Sequence, residues 1–328
     1  MVLSWRPHAT TETLRARARA LRVAREFFDA RDVLEIETPA LSSHGVTDPH
    51  IDGIKTRLEG LPDRELHLQT SPEYSMKRLL AAGSPDIYQV CRVFRDGELG
   101  RRHRPEFTMV EWYRRGFSLS DMIDETCRFI AALFAGSASV SLPSAANRLR
   151  YDEAFAAATG LDPLVADVEK LRGRARELVP GLTESTVAGL GDDRTAWLDL
   201  LMGYAVIPNL PANSLAVLHH YPAEQAALAR LDPDDVRFAE RFEISYDGIE
   251  LANGYHELAD AEEQRRRFDG DRHRRAALGR PDVAADPRLL AALEHGLPDC
   301  CGVAVGLDRV LMCALGMDSI DDVISFPI

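Results

Sequence analysis

The sequence predicts one large domain of the α/β or α+β class, from its length and from two kinds of local pattern. The chain has 328 residues, of which 45% are hydrophobic and 28% charged, and a chain of this size can bury one sizeable core. Two pairs of short runs predict β-hairpins, and stretches with helical periodicity lie before and between them.

The first two predicted elements are a helix over residues 11–30 and a strand over residues 33–37. The helix is predicted from apolar residues that recur every three or four positions, with arginines over much of the remaining surface. Its apolar stripe consists of Leu14, Ala18, Leu21, Ala24 and Phe28. The strand alternates and ends at Thr38 and Pro39, because proline cannot donate a hydrogen bond to a β-ladder.

A short strand over residues 66–69 and a capped helix are predicted next. Ser71 is expected to cap this helix, with Pro72 at its first position and Gly83 just past its end. Glu73 therefore lies in the first helical turn.

The central pattern is a pair of runs, residues 93–98 and 104–113, joined by a basic loop. They predict a β-hairpin that binds a nucleotide. Because neighbouring side chains of a strand point to opposite faces, the second run divides into two sets. One face carries Phe107, Met109, Glu111 and Tyr113, and the other carries Thr108, Val110 and Trp112. One of these faces can pack against the core, and the other can carry the side chains that act on a substrate.

The region between residues 118 and 231 is predicted to be mostly helical and carries little recognisable chemistry. The adjacent residues His219 and His220 end an apolar run. Neighbours in a strand point to opposite faces, so we interpret the pair as structural rather than as a metal site.

A second hairpin is predicted around Asp247 and Gly248, a typical two-residue turn between residues 241–246 and 249–252. Glu243 and Glu250 lie on its opposite arms. They can share a hard cation if their side chains face the same way. The polar residues that follow are Asn253, Tyr255 and Glu257.

Three further elements are predicted near the end of the chain. Asp260 and Glu263 indicate the start of an arginine-rich helix. A helix over residues 289–295 is expected to end at Gly296. Residues 302–306 then form a glycine-bounded strand, and Arg309 lies in the first turn of a helix that begins about Leu307, where it can hold phosphates.

Composition and missing motifs exclude several function classes. The net charge of −13 disfavours a surface that coats nucleic acid and suits a basic macromolecular partner better. Five cysteines without paired spacing predict reduced thiols. No run is long and apolar enough to span a membrane or to act as a secretion signal, so a cytoplasmic protein is expected. Neither the dinucleotide-binding glycine pattern nor a Walker A run occurs.

Three ordered segments resemble the motifs of a class II aminoacyl-tRNA synthetase catalytic domain of the lysyl type. Residues 33–41 resemble motif 1, residues 94–113 motif 2 and residues 302–309 motif 3. Further similarity lies in the runs 70–74, 76–80, 248–254 and 296–300. The resemblance implies an α+β class II synthetase core over residues 1–328, in which a mainly antiparallel sheet is flanked by helices. It also implies a two-fold homodimer that forms through motif 1.

Within this family the chain most closely resembles the short paralogues that attach (R)-β-lysine to a lysine of translation elongation factor P. About thirty residues precede the motif 1 strand, too few for the five-stranded anticodon-binding barrel of a lysyl-tRNA synthetase. A truncated or split synthetase is the alternative interpretation. Ala304 is the second indication, because lysyl-tRNA synthetases carry glycine there. Its methyl group is hypothesised to crowd an α-amino group and to favour a β-amino group.

The resemblance also implies roles for single residues. The substrate pocket would comprise Ser71, Glu73, Glu111, Tyr113, Asn253, Tyr255, Glu257 and Ala304. ATP would be bound by Arg95, Asp96, Glu98, Arg104, Phe107, Glu250, Leu251, Gly306 and Arg309. Mg²⁺ would be held by Glu243 and Glu250, and the catalytic residues would be Arg95, Arg309 and Glu250. Glu73 and Glu257 would receive the substrate's ammonium groups, since burying an unpaired ammonium is costly.

The implied reaction has two steps. The carboxylate of lysine or (R)-β-lysine attacks the α-phosphate of ATP, and a lysine side chain of elongation factor P then attacks the adenylate. A tRNA is not expected as a partner. The alternatives are a minimal lysyl-tRNA synthetase and a non-catalytic module that senses lysine. Three residues depart from the family pattern, namely Ser75, Gly97 and Arg104, and the last two lie on the expected adenine side.

Overall fold

The computed structural model describes residues 5–137, 142 and 146–328. These form two compact units, the first comprising Met1–Ser141 with Glu257–Ile328 and the second Leu142–His256. The expectation of one catalytic domain over the whole chain stays a prediction.

The described residues contain both strands and helices. In chain order, the strands are β1 (Leu34–Glu35), β2 (Leu41–Ser42), β3 (Lys55–Leu58), β4 (Leu61–Leu68), β5 (Ile87–Phe94), β6 (Glu106–Arg115), β7 (Asn147–Arg150), β8 (Leu215–Pro222), β9 (Phe238–Tyr246), β10 (Ile249–His256) and β11 (Cys300–Gly306). The α-helices are α1 (Thr11–Asp29), α2 (Glu73–Ala81), α3 (Leu119–Ser137), α4 (Tyr151–Thr159), α5 (Val168–Leu178), α6 (Glu184–Leu190), α7 (Arg194–Leu201), α8 (Ala261–Ala277), α9 (Pro287–His295) and α10 (Leu307–Ala314).

The sheet of the first unit is built on the central hairpin. β5 pairs antiparallel with β6, and β6 pairs antiparallel with β11. The short strand β1 runs parallel to β5 at the edge. A separate small sheet has the order β2–β4–β3.

The core of the first unit lies on the Trp112 face of β6. Trp112 is fully buried, and its ring lies 5.1 Å from those of Phe28 on α1 and Phe129 on α3. The alternation predicted for this strand is therefore confirmed, because Trp112 packs against helices while Glu111 and Tyr113 point to the other face.

The apolar stripe predicted for α1 is only partly correct. Ala24 and Phe28 are buried, but Leu14, Ala18 and Leu21 are not. The buried face carries Thr13, Ala16, Ala20, Ala24, Phe27 and Phe28. α3 approaches α1 so closely that a Cβ on Gly136 would lie 3.0 Å from Val23 Cγ2. Close helix packing thus selects the small residues over the leucines.

The second unit combines a four-strand ladder with short helices. β7 runs parallel to β8, β8 pairs antiparallel with β9, and β9 pairs antiparallel with β10. The buried residues Tyr151, Phe155, Trp197 and Leu201 form the centre of its helical core. The predicted mostly helical region therefore also contains two strands, β7 and β8, which the sequence interpretation missed.

The histidine pair lies at an irregularity of β8. The register shifts between His219 and Tyr221, and His220 has a φ of 57°. This backbone turns the two rings towards each other, with their Nδ1 atoms 2.6 Å apart, so the expectation of opposite faces was wrong. His220 also lies 3.3 Å from Asp232, which fits the interpretation of the pair as structural.

Several other boundaries differ from the predictions. β1 has two residues where a strand over residues 33–37 was expected, and β4 begins before the expected residues 66–69. β5 ends at Phe94, so Arg95 and Glu98 lie in the following loop and not in a strand. The left-handed φ of 76° at Gly97 turns the chain out of the ladder there.

The α+β class with a mainly antiparallel sheet and flanking helices is confirmed. The predicted turn of the second hairpin is also confirmed, since Asp247 and Gly248 have φ values of 48° and 70°, as a type I′ turn requires. All five cysteines are free thiols. Among the described residues, no helix combines the length and apolar character that crossing a membrane would need.

Candidate active site

An acidic pocket lies on the face of the first unit's sheet opposite the Trp112 core. Its walls come from the first turn of α2, from β6 and β11, and from the residue that follows β10 in sequence. The carboxylates of this pocket belong to Glu73, Glu111 and Glu257. The side chain of Glu257 is 1% exposed and that of Glu73 is 16% exposed. Glu111 is 2% exposed, so all three carboxylates are largely removed from water.

Glu111 is held by two hydroxyl groups. The Ser71 hydroxyl donates to Oε2 at 2.7 Å, and the Tyr113 hydroxyl donates to Oε1 at 2.8 Å. Burial, with the nearby charge of Glu73, raises the pKa of Glu111 to about 8. The predicted supporting place of Glu111 beside Ser71 and Tyr113 agrees with this geometry.

Ser71 also orders the start of α2. Its hydroxyl accepts the Glu73 N–H at 3.0 Å, as the predicted cap requires, although the helix begins at Glu73 and the residue before it is Pro72. This places the Glu73 carboxylate in the first turn. The predicted end is confirmed, because Gly83 follows the helix with a φ of 94°.

Lys77 is a pocket residue that the sequence interpretation missed. Its Nζ atom lies 2.6 Å from Glu73 Oε1 and 2.6 Å from Glu257 Oε2, and the residue is 1% exposed. Against the opposing effect of burial, the two carboxylates raise the pKa of Lys77, so it stays charged. The only signal in the sequence is the spacing of four from Glu73, which is common on exposed helix surfaces.

Glu257 joins the pocket through backbone contacts. Its N–H donates to Cys300 O at 3.0 Å, and the Gly302 N–H donates to its carboxylate. Burial nevertheless raises the pKa of Glu257 to about 8, while Lys77 acts in the opposite direction. A buried acid whose ionisation depends on a nearby cation is suited to binding an ammonium group.

The side chains of Tyr113 and Glu257 pack against the backbone of Gly302. This glycine is the cross-strand partner of Tyr113, and a Cβ added here would lie 2.3 Å from Tyr113 Cε1 and 2.4 Å from Glu257 Oε1. Only glycine leaves room for both side chains.

Gly302→Ala is expected to lower kcat/KM for the lysine activation that the family resemblance implies about 10²-fold, because displacing bound groups by about 1 Å has that effect. The measurement is ATP–pyrophosphate exchange at varied lysine concentration. Gly270→Ala is the matched control, since nothing lies within 4 Å of a Cβ there. An unchanged kcat/KM in Gly302→Ala would show that this pocket does not hold the substrate.

Ala304 and Gly306 continue the same face of β11. Ala304 is the cross-strand partner of Glu111, and Gly306 is the partner of Met109. The methyl group of Ala304 therefore lies beside the pocket, where its predicted effect on substrate choice would act.

Arg95 lies over the ring of Phe107, with its guanidinium carbon 5.2 Å from the ring centroid. Its Nε donates to Thr70 O at 3.3 Å, and its Nη1 lies 3.6 Å from Glu98. The residue immediately before Ser71 thus positions the guanidinium. The predicted α-phosphate ligand and the predicted adenine platform are brought together.

The loop between β5 and β6 contacts the start of α10. Arg309 Nε donates to Arg102 O at 3.2 Å, and burial, together with the charge of Arg309, lowers the pKa of His103. Asp308 accepts the Thr108 N–H at 2.6 Å and pairs with Arg17, which fixes this helix against β6.

Asp96 and Arg104, the other two residues of this loop that were predicted to bind ATP, make contacts that stabilise the loop. Arg104 donates to Gly100 O at 2.7 Å and pairs with Asp321. The Asp96 side chain accepts the Gly97 N–H at 2.8 Å, and its own N–H donates to Asp52 O at 2.7 Å. Both residues thus stabilise the loop, and their contact with ATP stays a prediction.

The second unit carries the remaining predicted residues on one face of its hairpin. Glu243 is the cross-strand partner of Asn253, and Glu250 is the partner of Ser245, with a bulge at Leu251 between the two pairs. Both side chains therefore leave the same face of the hairpin, and the Glu243 carboxylate is paired there with Arg241 at 2.5 Å. Tyr255 accepts from Asn253 Nδ2 at 3.1 Å.

The fit of this face to Mg²⁺ rests on its oxygen atoms. Asn253 Oδ1 is buried without a hydrogen-bond partner among the described residues, and it lies opposite Glu243. Mg²⁺ commonly takes one or two carboxylates and completes its shell with phosphates and water. In the described parts of the chain no group of three or more His, Cys, Asp or Glu side chains is arranged to hold a metal.

Comparisons with known proteins extend over the whole sequence. The family described as tRNA synthetases class II (D, K and N) matches residues 1–328. A protein of Klebsiella pneumoniae (strain 342) named elongation factor P–(R)-beta-lysine ligase is 45% identical over 328 residues, covering 99% of this chain and 98% of that protein. Proteins of the same name from Edwardsiella ictaluri (strain 93-146) and Proteus mirabilis (strain HI4320) are each 44% identical, covering 99% and 100% of this chain and 98% of each relative.

Proposed function

Because the chain belongs to the class II tRNA synthetases of the D, K and N group, we propose that it activates lysine or (R)-β-lysine with ATP and transfers it to a lysine side chain of elongation factor P. The observation that carries the first half of this proposal is the pocket formed by the carboxylates of Glu73, Glu111 and Glu257, two of which pair with the buried Lys77. The names of the full-length relatives at 44–45% identity support the second half.

The pocket selects the substrate by charge. Three carboxylates and one ammonium leave two negative charges when all four groups are ionised, which two substrate ammonium groups would neutralise. A neutral analogue would leave buried acids unpaired, and such a group costs about 1–3 kcal/mol or more. (R)-β-lysine, the amino acid in the relatives' names, is proposed as the preferred isomer.

The first step joins the amino acid to AMP. The substrate carboxylate attacks the α-phosphate, the new C–O–P bond forms and pyrophosphate leaves. Arg95 would donate to both the carboxylate and the α-phosphate and so stabilise the negative charge at phosphorus. Phe107 would stack on adenine, and Arg309 would hold the γ-phosphate. Glu243 and Glu250 would hold Mg²⁺, which neutralises charge on the phosphates when bound.

The second step forms an amide. The deprotonated amine of the acceptor lysine attacks the carbonyl of the adenylate, and AMP leaves. No protein nucleophile is required, because the mixed anhydride is already activated. The net charge of −13 suits a basic acceptor surface.

A cytoplasmic homodimer is part of the same proposal. The motif 1 segment supports it, since Leu34 and Leu41 are 51% and 39% exposed. A cavity of about 670 Å³ lies beside Leu41 and is lined in part by Pro39, Leu41 and Leu79. An exposed apolar surface of this kind is typical of a protein interface.

The experiment compares three activities of the purified protein. Lysine and (R)-β-lysine are each offered in ATP–pyrophosphate exchange, and transfer is then assayed with elongation factor P and with tRNA-Lys in parallel. We expect exchange with both isomers, faster with (R)-β-lysine, and transfer to the protein alone. Transfer to tRNA would instead show a minimal synthetase, and bound lysine without exchange would show a non-catalytic sensor.

A further inference from the structure

We propose that Lys77 is a positioning residue that favours the ionised form of Glu257 and holds the carboxylates of Glu73 and Glu257 apart for the substrate's two ammonium groups. This inference rests on the proposed activation of a dicationic amino acid and adds a residue that acts through the pocket's acids. Lys77 would permanently occupy one of the three cation places that the pocket offers, so the substrate fills the other two.

The geometry is that of a bridge. The Nζ atom of Lys77 lies 2.6 Å from a carboxylate oxygen on each side, one of Glu73 in α2 and one of Glu257. The side chains of Lys77 and Glu257 are 2% and 1% exposed, so water cannot replace either partner. Without the ammonium, the carboxylates of Glu73 and Glu257 would face each other, and such a pair holds a proton more tightly because like charges disfavour ionisation.

Lys77 is the cation that balances these acids. The titratable groups that face the pocket are Glu73 and Lys77 from α2, Cys91 from β5, Glu111 and Tyr113 from β6, Glu257, and Cys300 from β11. Burial raises the pKa of the Tyr113 phenol and of the Cys91 and Cys300 thiols, so these three groups are neutral at pH 7. The charge of the pocket therefore depends on three carboxylates and Lys77.

A purely structural ion pair predicts a different outcome. A buried pair replaced by apolar groups often costs little, and its loss would change stability without selecting among substrates. Here removal of the cation leaves both acids in place. The proton of this acid pair is then held more tightly than in the wild type, and a protonated acid cannot pair with a substrate ammonium.

Lys77→Met removes a positive charge beside Glu257, and such a charge commonly shifts the pKa of an acid by about 1–3 units. We expect KM for lysine to rise about tenfold for each unit by which the pKa of Glu257 rises. The kcat of pyrophosphate exchange should change far less, because Lys77 does not touch the reacting atoms. Since higher pH removes the retained proton, the ratio of mutant to wild-type KM should fall as the pH is raised from 7 to 9.

The matched control is Arg114→Met. Arg114 also lies between two carboxylates, 3.2 Å from Asp86 and 3.3 Å from Glu125, but on the opposite face of β6 from Tyr113. It is expected to lower thermal stability and to leave KM and its pH dependence unchanged.

A second variant separates charge from packing. Lys77→Ala leaves room for a small molecule, and methylammonium should lower its KM for lysine in a saturable way, whereas methanol of the same size should not. Equal rescue by methanol, or wild-type KM values at all pH values in a folded Lys77→Met, would overturn the proposal. Failure of both variants to fold, even with methylammonium, would also overturn it. Absence of exchange in the wild-type protein would instead refute the proposed function.

Discussion

Arg95→Ala is expected to lower the kcat of lysine-dependent ATP–pyrophosphate exchange about 10³-fold, since an arginine that stabilises charge on a transferring phosphoryl group is worth about 10³–10⁵. The guanidinium lies over Phe107 and is fixed by Thr70 O, so it is in place before substrates bind. Its contribution would increase as charge builds up at phosphorus. The KM for lysine should therefore change less than kcat.

Arg92→Ala is the control for this experiment. Arg92 is on the adjacent strand β5, and its side chain is 48% exposed and 3.6 Å from Glu106. An exposed pair of this kind contributes little, so exchange should be nearly unchanged. Arg95→Lys should restore only part of the rate, because an ammonium cannot donate in a fork to two anionic groups. If Arg95→Ala exchanged at the wild-type rate, another group would have to stabilise the α-phosphate.

The alternation of β6 was the most reliable part of the sequence interpretation. A sheet with one packed face requires a side-chain period of two, so Trp112 had to lie opposite Glu111 and Tyr113. The structure confirms this from the rings that surround Trp112 and from the hydroxyl groups that bind Glu111. Local turn chemistry was equally informative at Asp247 and Gly248, because few residues adopt positive φ.

Lys77 shows why part of the pocket could not be predicted. A glutamate followed four residues later by a lysine is typical of a solvated helix face, and nothing local distinguishes the pair from that case. Its burial arises from Glu257, which is distant in sequence and meets α2 only in the fold. The buried face of α1 was predicted incorrectly for a similar reason, since contacts made only in the fold bury Ala16 and Ala20 instead of Leu14 and Leu21.

The backbone of His220 was also beyond the sequence interpretation. Its positive φ shifts the register of β8, and the rule of opposite faces fails at such a bulge. The resemblance to a family, by contrast, brought distant residues together that no local pattern connects. The resemblance placed five residues in one pocket, and the structure brings them together there: Ser71, Glu73, Glu111, Tyr113 and Glu257.

Glu257→Gln is expected to raise KM for lysine about 10²–10³-fold, since removal of one partner of a buried ion pair costs about 3–5 kcal/mol. The amide keeps the shape of the side chain beside Gly302 but can no longer neutralise an ammonium group. Glu294→Gln is the control, because Glu294 is 56% exposed and pairs with Arg265 on the surface. Both variants are measured by exchange at varied lysine concentration.

The pH dependence of KM gives Glu257→Gln a second and independent readout. Burial raises the pKa of Glu257 to about 8, so below this pH the empty pocket holds a proton that the substrate must displace. The wild-type KM for lysine should therefore fall as the pH rises from 6.5 towards 8. In Glu257→Gln this proton is absent and the slope should be shallower, with the remainder due to Glu111, whose pKa burial also raises to about 8. An equally steep slope in the variant would mean that Glu257 does not bind the substrate's ammonium group, and the charge selection proposed for this pocket would have to reside elsewhere.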